Sequence, residues 1–358
     1  QFFSPKNFDN IVINLDKKDM DKLKSKRTEA LQNSILITEE GDLVEAKVGF
    51  KNSKKLSAQV RLKGDWVDHL TDPIKWSFRV IMDDGSTIKG LRKYSLQHPK
   101  VRNYLWEWLF NKTMKEYGLI GIKYDFINVE LNVIEKGVIK KIPLGIMAFE
   151  EAFDKILIEN NNRREGIILG FDESLIWSER HKQIEFNLEQ NQRKEKTQSF
   201  TTSPIKLYNE NKVLSNPKLA KQFNIAKDMI DGLKNGKLKL SEVFDIDKLT
   251  LFVALTNLFG GSHGLTGHNL KIYYNPVINK FEPISWDSDS GHKIQRISNY
   301  RFSKDDTLYS QKLVEKLKLV SSTKFVNELV RNYKNELNKL NSALSREFSE
   351  SFFDYSIL

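Results

Sequence analysis

The alternation of apolar and polar positions changes character along the chain. Through the first hundred residues the apolar runs are short. Residues 11–15, 45–50, 58–62 and 76–81 are alternating or continuous apolar stretches of strand length, separated by Lys, Asn, Gly and Asp. Asp83-Asp84-Gly85, between Ile81 and Ile88, has the chemistry of a hairpin turn, because glycine accepts positive φ without steric cost. The period then lengthens. Apolar residues at 101, 104, 105, 108, 109 and 110 form one face of a helix over 101–117, with Gly118 placed to end it. Residues 126–133 and 141–149 read as two strands joined around Glu135-Lys136-Gly137. Residues 150–160 turn helical, with Phe153, Ile156 and Leu157 at helical spacing.

Residues 178–215 carry few large apolar side chains and many Gln, Asn, Lys and Glu, the composition of a polar insertion or linker. Beyond them helices dominate, at 217–234, 245–259, 307–319 and 322–348, interrupted by a hairpin at 269–286. No internal repeat is found. The pattern therefore predicts a sheet-rich portion over 1–177, the polar segment 178–215, and a helical portion over 216–358 that carries the hairpin region 263–292. Segregation of this kind is the mark of an α+β protein, not of a doubly wound parallel sheet. Neither a Gly-x-Gly-x-x-Gly turn after a strand nor a Walker A loop occurs, which disfavours the two commonest nucleotide folds.

Composition adds limits. With 358 residues, 39% of them apolar, and six tryptophans, the chain can bury one large core or two smaller ones. No run of roughly 18 apolar residues exists to span a membrane. The chain opens on Gln1 rather than Met, which is compatible with a targeting or anchoring segment having been removed. Cysteine is absent, so disulfides, thiolate metal sites and cysteine nucleophiles are excluded together. A net charge of +10 raises the question of nucleic acid. The basic residues are dispersed among 47 acidic ones, however, and no helix-turn-helix or RNA-binding signature appears. Nucleic acid is therefore not expected as a partner, whereas nucleotides, phosphorylated surfaces and anionic glycans fit the charge.

Chemistry concentrates in one region. Three of the six histidines (His263, His268, His292) fall within thirty residues, together with Asn269, Asp287 and Asp289. Glycines bracket a loop after an apolar helix, and a hairpin then carries Asn269 at its start and Asp287 at its end. An amide oxygen and one or two carboxylates converging in this way suit Mg²⁺ or Mn²⁺, ions that keep waters and hold substrate phosphates. From spacing alone, a turn-capping Asn269 with Asp287 and Asp289 as ordinary loop acids fits equally well. A three-histidine zinc site matches no standard spacing. The acidic stretch Asp65-Trp66-Val67-Asp68-His69 with Asp72 reads better as a tight loop anchored by Trp66 than as a second site. No Gly-x-Ser-x-Gly elbow is present to support an α/β-hydrolase.

Gly267-His268-Asn269, the strand Lys271-Ile272-Tyr273-Tyr274 with Asn275-Pro276, and Pro283-Ile284-Ser285-Trp286-Asp287-Ser288-Asp289 together resemble the C-terminal signature of the CotH kinase family, atypical protein kinases first associated with bacterial spore coats. Upstream, Arg61-Leu62-Lys63-Gly64 and Lys75-Trp76-Ser77-Phe78-Arg79 resemble that family's basic motifs. Residues 144–151, ending at Glu151, resemble its strand leading into a glutamate-bearing helix. The resemblance runs in order from about residue 58 to 292 and implies a kinase-like two-lobed α+β fold.

The resemblance also implies roles. Asp287 would be the principal metal ligand and Asn269 the second, with Asp289 beside them. Glu151 would orient a phosphate-binding Lys75 or Arg79, and Arg61 and Lys63 would line the phosphate side of the cleft. The family's base aspartate has no counterpart here. The best-matching position is His263, and a histidine can take a proton near neutral pH. The implied activity is phosphoryl transfer from ATP with Mg²⁺ or Mn²⁺ to a hydroxyl of a protein or glycan, outside the cytoplasm or at the cell surface. Two further readings remain open: a catalytically inactive kinase-fold surface or coat protein, and a metal-dependent phosphoester hydrolase.

Overall fold

The computed structural model describes residues 8–83, 85–185, 202–294, 296–300, 305–351 and 353–358. Its first seven strands are β1 (Asn10–Asp16), β2 (Val44–Phe50), β3 (Leu56–Leu62), β4 (Phe78–Met82), β5 (Lys93–Gln97), β6 (Tyr124–Glu135) and β7 (Val138–Glu151). They close into a barrel in the order β1-β2-β3-β4-β5-β7-β6. Closure comes from β6 lying parallel to β1, with Asn10 opposite Asn128 and Asp16 opposite Ile134.

The two-residue period of each strand explains the barrel. Ile11, Ile13 and Leu15; Val44, Ala46 and Val48; Ala58, Val60 and Leu62; Phe78, Val80 and Met82; and Met147 with Phe149 all share one buried cluster. Alternate side chains point inward and fill it. The helix Lys17–Asn33 adds Met20, Leu23 and Ala30 to the same core.

A second, separate sheet has the order β11-β10-β8-β9. Its strands are β8 (Ile168–Phe171), β9 (Ile205–Leu207), β10 (Lys271–Asn275) and β11 (Lys280–Ile284). Around it the helices Leu105–Glu116, Pro217–Lys234, Ile246–Leu258, Thr307–Val320 and Thr323–Leu344 share a second core. The outward residues Tyr124, Phe126, Ile146 and Ala148 of β6 and β7 belong to this core too. The barrel wall between the two cores is thus buried on both faces.

The expected kinase-like pair of lobes, sheet-rich then helical, is not what forms. A closed seven-stranded barrel stands in place of the first lobe, and a four-stranded sheet sits among the helices. Two facts were invisible to the pattern of apolar residues. Barrel closure depends on parallel pairing between strands far apart in sequence. The second sheet draws strands from both sides of the polar segment 178–215. That segment contains the end of helix Ser174–Glu185, β9 and the helix Glu210–Ser215, while 186–201 lies outside the described residues. Among the described residues no helix is long and apolar enough to cross a membrane.

Candidate active site at the barrel wall

The site begins with strand alternation. Because the even-numbered inward residues of β3 and β4 fill the barrel, Arg61 and Arg79 point the other way, as do Ser95, Gln97 and Glu150. The ladder aligns them in a row: Arg61 opposite Arg79, Arg79 opposite Ser95, and Ser95 opposite Glu150. Lys63, just past the end of β3, reaches across the same face. Its Nζ donates to Glu150 Oε1 at 2.6 Å and to Gln97 Oε1 at 2.8 Å, and Gln97 Nε2 donates to Glu150 Oε2 at 2.9 Å. The three side chains form a closed, buried ring of charge-assisted bonds. Lys63 Nζ also lies 5.2 Å from the centre of the Trp286 ring, which ties the barrel to the hairpin of β10 and β11.

The hairpin supplies the opposing charge. Its register pairs Lys271 with Ile284, so Asn269 and Asp287 lie at the same open end, just beyond the paired segment. Asp287 Oδ2 is 3.1 Å from Arg102 Nη2, and Oδ1 is 3.9 Å from His263 Nε2. Asn269 Nδ2 donates to the His263 carbonyl at 3.2 Å, leaving the oxygen as the amide's remaining ligand atom. The loop that carries Asp287 is held under strain. Asp287 and Asp289 adopt φ of +47° and +50°, and Asn103 and Tyr104 adopt +50° and +53°. Two glycines let the chain close this tightly. A Cβ on Gly260, at φ +63°, would sit 1.8 Å from the His292 carbonyl, and one on Gly291 would sit 2.4 Å from the Trp106 ring. Asn103 Nδ2 donates to the Ser290 carbonyl, and Ser288 Oγ to Glu107 Oε2 at 3.0 Å, fixing the loop to helix Leu105–Glu116.

Cations outnumber the firmly ionised acids. Burial pushes the Lys63 ammonium down to about 8, with Arg102 and Arg79 working against Glu150's support. Burial disfavours the Glu150 charge, but Lys63, Arg102 and Arg79 outweigh it and hold the carboxyl below its ordinary value. Asp287 is held low in the same way, by Arg102, His263, Lys63 and Lys271. Glu107 goes the other way: burial, opposed by Arg102, raises it to about 7. Two guanidinium atoms in this cluster, Arg79 Nη1 and Arg102 Nε, are buried with no hydrogen-bond partner among the described residues. Buried donors without acceptors cost about 1–3 kcal/mol each, and an acceptor such as a phosphate oxygen would satisfy them.

The family described as CotH kinase protein matches residues 60–357. The chain belongs to the CotH kinase family. Comparison with curated proteins gives no match.

Within this CotH kinase chain, the residues expected at the site divide. Lys63, Asp287, Asn269 and His263 are drawn together by the contacts above, and Arg79 acts on Lys63 and Glu150 through its charge. Arg61 lies in the same ladder row, but its Nη1 donates to Thr38 Oγ1 and the Leu62 carbonyl. Asp289 is exposed and faces His292 at 3.4 Å. Lys75 pairs with Glu347 and donates to the Ile146 carbonyl at 3.2 Å. Glu151 ends a strand rather than opening a helix, which starts only at Lys155. Its carboxylate accepts from the Lys123 amide and Asn160. Its neighbour Glu150 makes the pair with lysine, because adjacent strand residues face opposite ways.

Sequence reasoning missed Glu150, Gln97, Arg102, Glu107 and Lys271. Lys271 is buried, donates to the His268 carbonyl at 2.6 Å and lies 3.7 Å from Glu173. The signal for Glu150 was available in the alternation of β7. None existed for Arg102, which a left-handed turn places. The loop after β3 also faces the site, since Asp65 and Asp68 both act electrostatically on or with Asp287.

The donor set decides what could be held. Among the described residues no three His, Asp or Glu side chains converge on a common metal position. Asp287 with the Asn269 oxygen is too small a set for a resident ion. It fits an ion of the Mg²⁺ class that arrives with phosphates and keeps its waters. The unpartnered Arg79 and Arg102 donors fit the phosphates themselves.

Proposed function

We propose that the protein transfers the terminal phosphoryl group of ATP to a hydroxyl of a protein or glycan acceptor. The observation that carries this reading is the buried Lys63–Gln97–Glu150 ring beside two guanidinium groups with unpartnered donors, facing Asp287. Phosphoryl transfer asks little covalent chemistry of the protein and much positioning and charge neutralisation. Lys63, Arg79 and Arg102 hold the phosphate oxygens; Glu150 and Gln97 fix the Lys63 ammonium so that it loses no freedom on binding. Asp287 and Asn269 would hold a Mg²⁺ or Mn²⁺ ion, which neutralises phosphate charge when bound. His263 stands at the Asp287 carboxylate and lines a cavity of about 380 Å³ with Asp289, His292, Lys293 and Arg296. The acceptor enters through that cavity, and His263 takes its hydroxyl proton.

The test is transfer from γ-labelled ATP to the protein itself and to a mixture of hydroxyl acceptors, by wild type, Asp287→Asn and His263→Ala. Label on an acceptor that vanishes in Asp287→Asn supports the proposal. Release of phosphate with no acceptor labelled indicates a phosphoester hydrolase instead. Absence of both, in folded protein, indicates an inactive surface module.

A further inference from the structure

Away from that site lies a cavity of about 570 Å³, a size typical of small-ligand sites. None of Lys63, Arg79, Arg102, Glu150, Asp287 or His263 lines it. Five lysines do (Lys89, Lys112, Lys115, Lys123 and Lys339) against three carboxylates, Asp9, Asp125 and Glu336. Trp108, Ile122 and Phe126 form apolar parts of the wall.

These lysines are not a loose solvated fringe, because all but Lys339 are at least half withdrawn from water. Two are compensated: Lys89 by Asp9 at 3.1 Å and Asp125 at 3.2 Å, and Lys112 by Glu336 at 4.0 Å and the Trp108 ring at 5.2 Å. Among the described residues Lys123 Nζ has one hydrogen bond, to the Lys89 carbonyl at 2.8 Å. Lys115 rises from the helix Leu105–Glu116 toward the same space. Burial lowers its proton affinity, and Lys123 and Lys112 lower it further against the pull of Glu151. Glu151 itself is pushed up by burial, toward its neutral form. Ammonium groups crowded together and partly desolvated are held at a cost that an anion would relieve.

We propose that this cavity binds a small phosphate-bearing polyanion, seated against Lys115 and Lys123 and distinct from the nucleotide bound at Asp287. Several phosphate oxygens match several point-charge donors, and lysine suits phosphate as such a donor. The wall is shared with the active site. Asn111 lines the cavity, donates to the Glu107 carbonyl at 2.9 Å and accepts from Ser285.

Inorganic pyrophosphate, without added divalent metal, is the probe. Thermal stability and calorimetric binding would be measured for wild type, Lys115→Gln/Lys123→Gln, Lys63→Met, and Lys227→Gln as a control for nonspecific attraction to a basic protein. The expected result is saturable binding that raises Tm by about 3 °C at hundredfold excess over Kd. It persists in Lys63→Met and Lys227→Gln and weakens at least tenfold in the Lys115/Lys123 variant. Lys115→Arg, which keeps the charge, retains binding and guards against misfolding of the double variant. Binding lost in Lys63→Met but kept in the double variant would place pyrophosphate in the active site and overturn the proposal. Equal weakening in Lys227→Gln, or no saturable binding in wild type, would overturn it as well.

Discussion

Removing Lys63 is the perturbation whose outcome the structure fixes most tightly. In Lys63→Met the apolar stem is kept and the charge is lost. Glu150, 1% exposed, is left with Gln97 and the more distant fields of Arg102 and Arg79. Breaking a buried pair by deleting one partner costs about 3–5 kcal/mol. The remaining cations place this site at the lower end, about 3 kcal/mol. Glu150→Gln removes the stranded charge, so the double variant Lys63→Met/Glu150→Gln recovers about 2 kcal/mol of that loss. The pH dependence has a definite sign. Glu150's folded-state pKa is held below its ordinary value, so its contribution is present above that ordinary value and is lost as pH falls through the folded pKa. The gap between wild type and Lys63→Met therefore narrows as pH falls from 7 into acid. Urea unfolding followed by tryptophan fluorescence and far-UV circular dichroism, at pH 7 and pH 4, measures all of this. A loss under about 1 kcal/mol at pH 7, or a double variant no more stable than Lys63→Met, refutes a buried, mutually dependent pair.

Other expectations follow from the same geometry. Glu107, raised to about 7 by burial, binds a proton in the folded state between about pH 4.5 and 7 that the unfolded chain releases, so its ionisation destabilises the fold above that window. Glu107→Gln should stabilise the protein by up to about 3 kcal/mol at pH 8 and by little at pH 4, read from urea midpoints at both; an equal gain at both pH values contradicts the assignment. Gly260→Ala and Gly236→Ala both place alanine at positive φ, but only at 260 does a Cβ meet anything within 4 Å. The first should cost at least about 2 kcal/mol more than the second and weaken nucleotide binding; equal melting temperatures would falsify the close-contact account of this loop.

Much of the local structure was legible. The helix expected over 245–259 is Ile246–Leu258, the one over 217–234 is Pro217–Lys234, and the hairpin at 269–286 is formed by β10 and β11. These segments have strong periodicity and clear punctuation, such as Asn216 capping a helix that opens on Pro217. The helix Lys17–Asn33 was missed because only Met20, Leu23 and Ala30 are buried among many Lys and Asp. Its apolar stripe is too thin to register. The helix expected over 101–117 begins later, at Leu105, after a short turn ending at Arg102 and two left-handed residues. That break is what aims Arg102 at Asp287, and nothing in the apolar pattern announces it. Asn269 and Asp287 lie at the same end of the hairpin, and His263 contacts both. The expectation of a helix over 150–160 hid which glutamate meets Lys63: residues 150 and 151 end β7, where adjacent side chains face opposite ways, and Glu150 is the one that pairs with it.

The most direct test of the account is thermal unfolding with ATP, with and without Mg²⁺ or Mn²⁺, for wild type and Asp287→Asn. A ligand that binds only the folded state raises its stability. The account predicts a rise in Tm for wild type that requires both nucleotide and metal and is absent in Asp287→Asn. A rise of the same size in the variant, or none in wild type, contradicts a phosphate and metal site built on Asp287.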